Sequence, residues 1–202
     1  MSIAVIDNGK GNRVVIPDSV RLNGLWTITL NGDNNFVEIG EGCILRGFGL
    51  TFGSDCTLKI GKNGSLSALE IFGLNGLKLQ IGDNATFTYH TRIMSHEGQS
   101  ITIGNNCLFA SGVLITASDM HSVIDVSTGH RINGPADIAI ADHVWLGLDA
   151  WILKGSSVGR DSVIGARSVV SSEIPEQCVA VGVPARVVRT GVTWDHGLLP
   201  VG

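Results

Sequence analysis

His121 stands in the stretch TASDMHSV (116–123), a polar run directly after the apolar CLFASGVLI. An imidazole with a pKa near about 6.5 can take a proton from a hydroxyl at neutral pH, and such general-base action contributes roughly 10² to 10⁴ in rate. Asp119, two residues earlier, could orient the ring or touch an acceptor. The stretch YHTRIMSHEG supplies His90, Arg92, His96 and Glu97, and Arg131 and Asn133 follow the histidine; all suit a hydroxyl-rich ligand. Arg186 and Arg189, three apart after GVP, carry the planar fork that suits phosphate. Each also reads as an ordinary surface residue, so the residue types alone leave a catalytic base and a solvated loop histidine both open. No metal is expected, because there is no H-E-x-x-H motif and Cys43, Cys56, Cys107 and Cys178 show no C-x-x-C spacing.

Positioning such groups requires a frame, and the frame is a repeat. From Ile140 the chain reads in sixes: IADHVW LGLDAW ILKGSS VGRDSV IGARSV. The first position is Ile140, Leu146, Ile152, Val158 and Ile164, always branched and apolar; the second is usually tiny; the fifth is small or medium. Three such units make a triangular coil of 18 residues, and coils stack at about the 4.8 Å strand spacing. The first-position side chain fills the interior, and glycine at the second lets the backbone turn without a Cβ clash. IGEGC, IGKNG, IGDNA and IGNNC begin at Ile39, Ile60, Ile81 and Ile103, intervals of 21, 21 and 22, one coil plus a few residues of bulge. Cys43, Ala85 and Cys107 fall at the small inward fifth position, so the cysteines read as stacked core residues.

The expected architecture is all-β: a parallel β-helix of hexapeptide repeats over residues 36–182, N-terminal cap coils over 1–35, and a short C-terminal arm over 183–202, in one domain. A long loop inserted at about 118–136 carries His121, and long loops on rigid scaffolds are where function is housed. Within the coils, Gly147 and Gly165 are 18 apart, as are Leu148 and Ala166, which makes a ridge at one edge. Trp145 and Trp151 point outward, where a large ring wastes apolar area unless it is covered. A thin prism therefore calls for partners against its outer faces.

Composition narrows the partners. A net charge of -4, with 14 Lys and Arg in no basic block, argues against nucleic acid or an anionic membrane. No apolar run of 18 residues exists, so no integral membrane segment is expected. The N-terminal stretch lacks the pattern of a signal peptide, and scattered thiols fit a cytoplasmic location.

SDMHSVIDVSTGHRIN, IADHVWLG, VIGARSVV and AVGVPARVVR together resemble the hexapeptide-repeat acetyltransferases, in particular the bacterial polysaccharide and sugar O-acetyltransferases. The resemblance is good over about residues 100–195 and rests on the repeat alone over 36–100. It implies a left-handed β-helix and a homotrimer with sites between subunits. It also implies acetyl-CoA as co-substrate and a saccharide acceptor. By the same resemblance His121 is the base, and Trp145 lines the cleft beside thioester and acceptor. The backbone at Gly147 or Leu148 lies near the thioester, Gly165 and Ala166 lie along the pantetheine, and Arg186 and Arg189 meet the phosphates. Ser171, followed by Ser172, takes the place of a common Thr-Lys pair beside the cofactor, so one positive charge is missing. N-acetylation of an amino-sugar nucleotide and a non-catalytic scaffold are the alternatives.

Overall fold

Each hexad alternates inward and outward side chains, and stacking them turns that alternation into short parallel strands on the faces of a triangular prism. The structure, a computed structural model, describes residues 3–201. Among these residues every element is a strand. The first face is an eight-stranded parallel sheet running from Arg13–Val15 through Thr57–Ile60 and Ser100–Ile103 to Glu173–Ile174. The second and third faces share a 14-stranded sheet, because in the early coils one long strand, such as Ser65–Asn75, bends across the corner between them. Its front half aligns with Thr86–Phe87 and its back half with Thr91–Ser95, and later coils keep the two faces separate.

The interior is a set of stacked ladders. Leu58, Leu79, Ile101 and Ile138 align in register, as do Ile60, Ile81, Ile103 and Ile140, all essentially solvent-free. Phe87 stacks on Phe109 with centroids 4.3 Å apart. All four cysteines are buried. Burial pushes the thiols of Cys43 and Cys56 up and that of Cys107 to about 11, so these are core residues rather than reactive ones.

The glycines of the second hexad position serve a different purpose from the one expected. Gly61 and Gly104 do not have positive φ; that falls two residues later, on Asn63 and Asn106 (φ 57 each), a residue type that tolerates the left-handed region. What excludes a side chain is the next coil. A Cβ on Gly61 would lie 2.7 Å from Asp83 N, and one on Gly104 2.5 Å from Asp142 N.

The ends join the solenoid differently. Ala4–Asp7, Arg13–Val15 and Arg21–Leu30 pair in parallel register with the coils that follow. At the other end Arg186–Thr190 folds back antiparallel on Cys178–Val181, with a bulge between Val179 and Ala180. No helix among the described residues is long and apolar enough to cross a membrane.

Candidate active site

The long loop replaces one turn of the third corner, between the third and first faces. It leaves after Leu114–Thr116 and rejoins at Ile138–Ile140, and Ala136 N–H donates to Ala117 O (3.2 Å) across its base. Its outer part is a small hairpin in which Ile124 faces Arg131. An exposed His121 lies on its ascending side.

Two coils grip this loop. Glu97, one residue before the left-handed Gly98, belongs to the coil before it; Lys154, one residue before the left-handed Gly155, belongs to the coil after it. Glu97 holds Arg131 through both carboxylate oxygens and accepts from Ser118 Oγ at 2.7 Å. Lys154 Nζ donates to Asp119 Oδ2 and to Asn133 O (3.2 Å). Asn133 ties the two sides together: its amide donates to Asp119 Oδ2 and to His121 O, both at 2.8 Å, and its Oδ1 accepts from Val123 N at 2.7 Å. Hydrogen bonds from Arg131 and Ser118 hold the Glu97 carboxyl at about 2, and those from Lys154 and Asn133 hold Asp119 below its usual range.

Asp119 is therefore tied into the clamp through Oδ2, and its backbone carbonyl accepts the His121 N–H at 2.8 Å. Glu97, Arg131 and Asn133, expected as acceptor contacts, hydrogen-bond to one another and to their neighbours within and beneath the loop that carries His121. Lys154 and Ser118 were missed by sequence reasoning. The signal was present in the matching pairs Glu97-Gly98 and Lys154-Gly155, both at turns of the same corner. His96 rests against Phe72 (4.9 Å) near His121, and burial holds its pKa down. It opens onto a groove on the third face, lined also by Thr51, Glu70, Phe72, Arg92 and Met94. Arg92 pairs there with Glu70 at 3.1 Å.

The second cluster lies elsewhere. On the second face the outward ladder runs Trp145, Val163, Val179, Arg189, and beside it Gly165 meets Val181 and then Arg186. The bulge lets two arginines three apart face the same side, since residues opposite one another in a pair share a face. Three strand spacings, about 14 Å, separate Trp145 from Arg189. The N–H groups of Gly147 and Gly165 are used between coils, donating to Ile164 O (2.7 Å) and Ala180 O (2.9 Å). Those of Leu148 and Ala166, at the adjoining corner, have no protein acceptor among the described residues. The free donors are thus Leu148 and Ala166, while the glycines permit close stacking: a Cβ on Gly147 would lie 2.7 Å from Ala166 N.

One chain does not bring these two clusters together. The loop's polar partners are all on the third corner, and the ridge follows the second face to the second corner, with the third face between them. His90 sits on the second corner (φ 51), two coils before Asp149, which has φ 55 there, and Ser171 lies past Val169–Val170 on the third face, off the ridge.

No family model matches the chain. It is 34% identical over 137 residues to a polysialic acid O-acetyltransferase of Escherichia coli O1:K1, a match covering 68% of this chain and 44% of that protein. The chain thus spans less than half of that relative's length. It is 31% identical to the polysialic acid O-acetyltransferase of Neisseria meningitidis, covering 74% of this chain and 69% of the relative. The crystal structure of the polysialic-acid-specific acetyltransferase NeuO superposes with a TM-score of 0.87 at 32% identity, over 97% of this chain and 83% of that one. With its repeat, its parallel prism and this likeness along nearly its whole length, the chain belongs to the hexapeptide-repeat sugar O-acetyltransferases, acyltransferases built on the left-handed β-helix.

Proposed function

We propose that the protein transfers acetyl from acetyl-CoA to a hydroxyl of a bacterial polysaccharide or its saccharide precursor, in the cytoplasm, as a homotrimer. The observation that carries this is the division of labour between two edges of one prism. One edge bears a rigidly clamped histidine, and the other bears a narrow ridge with free amides at Leu148 and Ala166 that ends in Arg186 and Arg189. In a trimer of parallel prisms the loop of one copy reaches the ridge of its neighbour, and each site is complete only between two copies.

His121 takes the proton of the acceptor hydroxyl as its oxygen attacks the thioester carbonyl carbon. The Leu148 N–H donates to the carbonyl oxygen as charge develops there. Collapse breaks the C–S bond, and the imidazolium returns its proton to the departing sulfur. Trp145 walls the reacting groups, Ala166 N–H donates to the pantetheine, and Arg186 and Arg189 meet the phosphates. The names of the relatives support a sugar acceptor, and a histidine base without a covalent enzyme intermediate accords with the unreactive thiols.

The test is free-thiol release from acetyl-CoA with a panel of bacterial polysaccharides and nucleotide sugars, wild type beside His121→Ala. Acceptor-dependent release that falls at least a hundredfold in the variant, with CoA binding kept, bears the reading out. Transfer to an amino-sugar nucleotide in place of a hydroxyl favours N-acetylation. Absence of both CoA binding and turnover leaves a scaffold.

A further inference from the structure

The first corner, between the first and second faces, carries a column of left-handed residues. Asn63, Asn84 and Asn106 fill it in the middle coils, but the next coils bring His143 (φ 55) and Asp161 (φ 62). Histidine has no advantage over asparagine as a turn residue, so the change asks for another cause.

The C-terminal segment supplies one. After the left-handed Gly191 it runs back along this column: Val192 N–H donates to Gln177 O (3.0 Å), Thr193 Oγ1 to Asp161 Oδ1 (3.3 Å), and Trp194 Nε1 to His143 O (2.8 Å). The Trp194 indole lies flat on the His143 ring, centroids 4.5 Å apart and planes 10° from parallel, and His143 Nδ1 is held by Asp161 at 2.7 Å. Trp194 is only 8% exposed, in a tail whose other residues lie mostly in the open.

From this seat Trp194 reaches the ridge. Its centroid is 6.0 Å from that of Trp145, at 48°, within the range over which aromatic rings orient one another. Trp145 is 37% exposed, and its own indole N–H has no protein acceptor among the described residues, so packing alone sets the plane of its ring. We propose that Trp194 is a positioning residue for acyl transfer: the terminal segment, locked onto His143 and Asp161, fixes the Trp145 indole against the reacting groups. This rests on the reading above that Trp145 walls the cleft.

The experiment uses the full chain and three readouts: the near-UV dichroism of coupled indoles, thermal stability, and kcat and KM for each substrate. Wild type is expected to show a coupled-indole signal that Trp145→Phe and Trp194→Phe each abolish. Trp194→Ala lowers kcat about tenfold or more with the KM for acetyl-CoA within about twofold, since small misplacements of a reacting geometry are costly. Trp194→Phe, which keeps a ring on His143, recovers much of the rate and guards against a folding defect in the alanine variant. Leu198→Ser, at a fully exposed position of the same tail, leaves the rate unchanged. A slow Trp145→Phe beside a Trp194→Ala at wild-type rate overturns the positioning role and leaves the cleft reading intact. Both variants at wild-type rate overturn the cleft reading, and the positioning role falls with it. A loss carried in the KM for acetyl-CoA overturns the proposal as well.

Discussion

Glu97 and Lys154 occupy equivalent turns on either side of the loop coil and each holds both strands of the loop, Glu97 through Ser118 and Arg131, Lys154 through Asp119 and the Asn133 carbonyl. Coils are stiff, so the spacing of these two side chains is set by the solenoid rather than by the loop. Asn133 transmits that spacing to the backbone of His121.

Lys154→Ala should therefore slow the reaction with little effect on the fold. Ion pairs near the surface are worth about 0–1 kcal/mol to stability, yet a loosened His121, the proposed base, loses its aim. A fall in kcat of about tenfold to a hundredfold is expected, with a melting temperature within a few degrees of wild type. Lys154→Arg, which keeps the charge, should retain more of the rate than Lys154→Ala.

The clamp should also resist acid. The folded carboxyl of Glu97 lies at about 2, below its ordinary 4.5, and that of Asp119 is likewise depressed. Groups shifted this way hold the loop fully above their ordinary values and release it only as pH falls through the folded ones. Amide exchange in residues 119–133, corrected for its intrinsic pH dependence, should show constant protection from pH 5 to 8, with opening toward pH 2. Glu97→Gln should lower that protection even at pH 7.

The prism was legible in the sequence because a core one side chain thick repeats its demands every six residues. Leu146, Ile152, Val158 and Ile164 declare themselves by position alone, and so does the insertion that interrupts them. The loop histidine could be singled out, but the use of Asp119, Glu97, Arg131 and Asn133 could not, since Lys154 lies 35 residues from its partner Asp119 and Glu97 lies 34 from Arg131, joined only by stacking. Trp194 was hidden for the same reason: its seat, His143, lies 51 residues earlier on another edge. The glycines were assigned the wrong constraint because spacing shows that a residue must be small without showing what crowds it.

That distinction is measurable. Gly61 has no unusual φ, but its missing Cβ is replaced by the backbone of the next coil, 2.7 Å away at Asp83 N; Gly49, also without positive φ, has nothing within 4 Å. Gly61→Ala should force two coils apart and cost about 1–3 kcal/mol, as overpacking does. Gly49→Ala should lie within about 0.5 kcal/mol of wild type in either direction. Equilibrium unfolding in denaturant compares them directly, and equal losses would return the glycine requirement to turn geometry.

Arg186 and Arg189 offer the sharpest check on the ridge, because the bulge in the last strand pair gives them a shared direction that their spacing alone would deny. Hydrogen bonds to charged groups are worth about 1.5–3 kcal/mol, so Arg186→Ala and Arg189→Ala should each raise the KM for acetyl-CoA by about tenfold or more while leaving kcat largely intact. The same variants should scarcely change turnover of S-acetyl-pantetheine, which has the thioester and the amides that Leu148 and Ala166 would meet but none of the phosphates. Added salt should weaken acetyl-CoA in the wild type more than in either variant, because screening acts on charges the variants no longer present. If the two donors suffer equally, the arginines act on the fold of the terminal strand and the phosphates bind elsewhere.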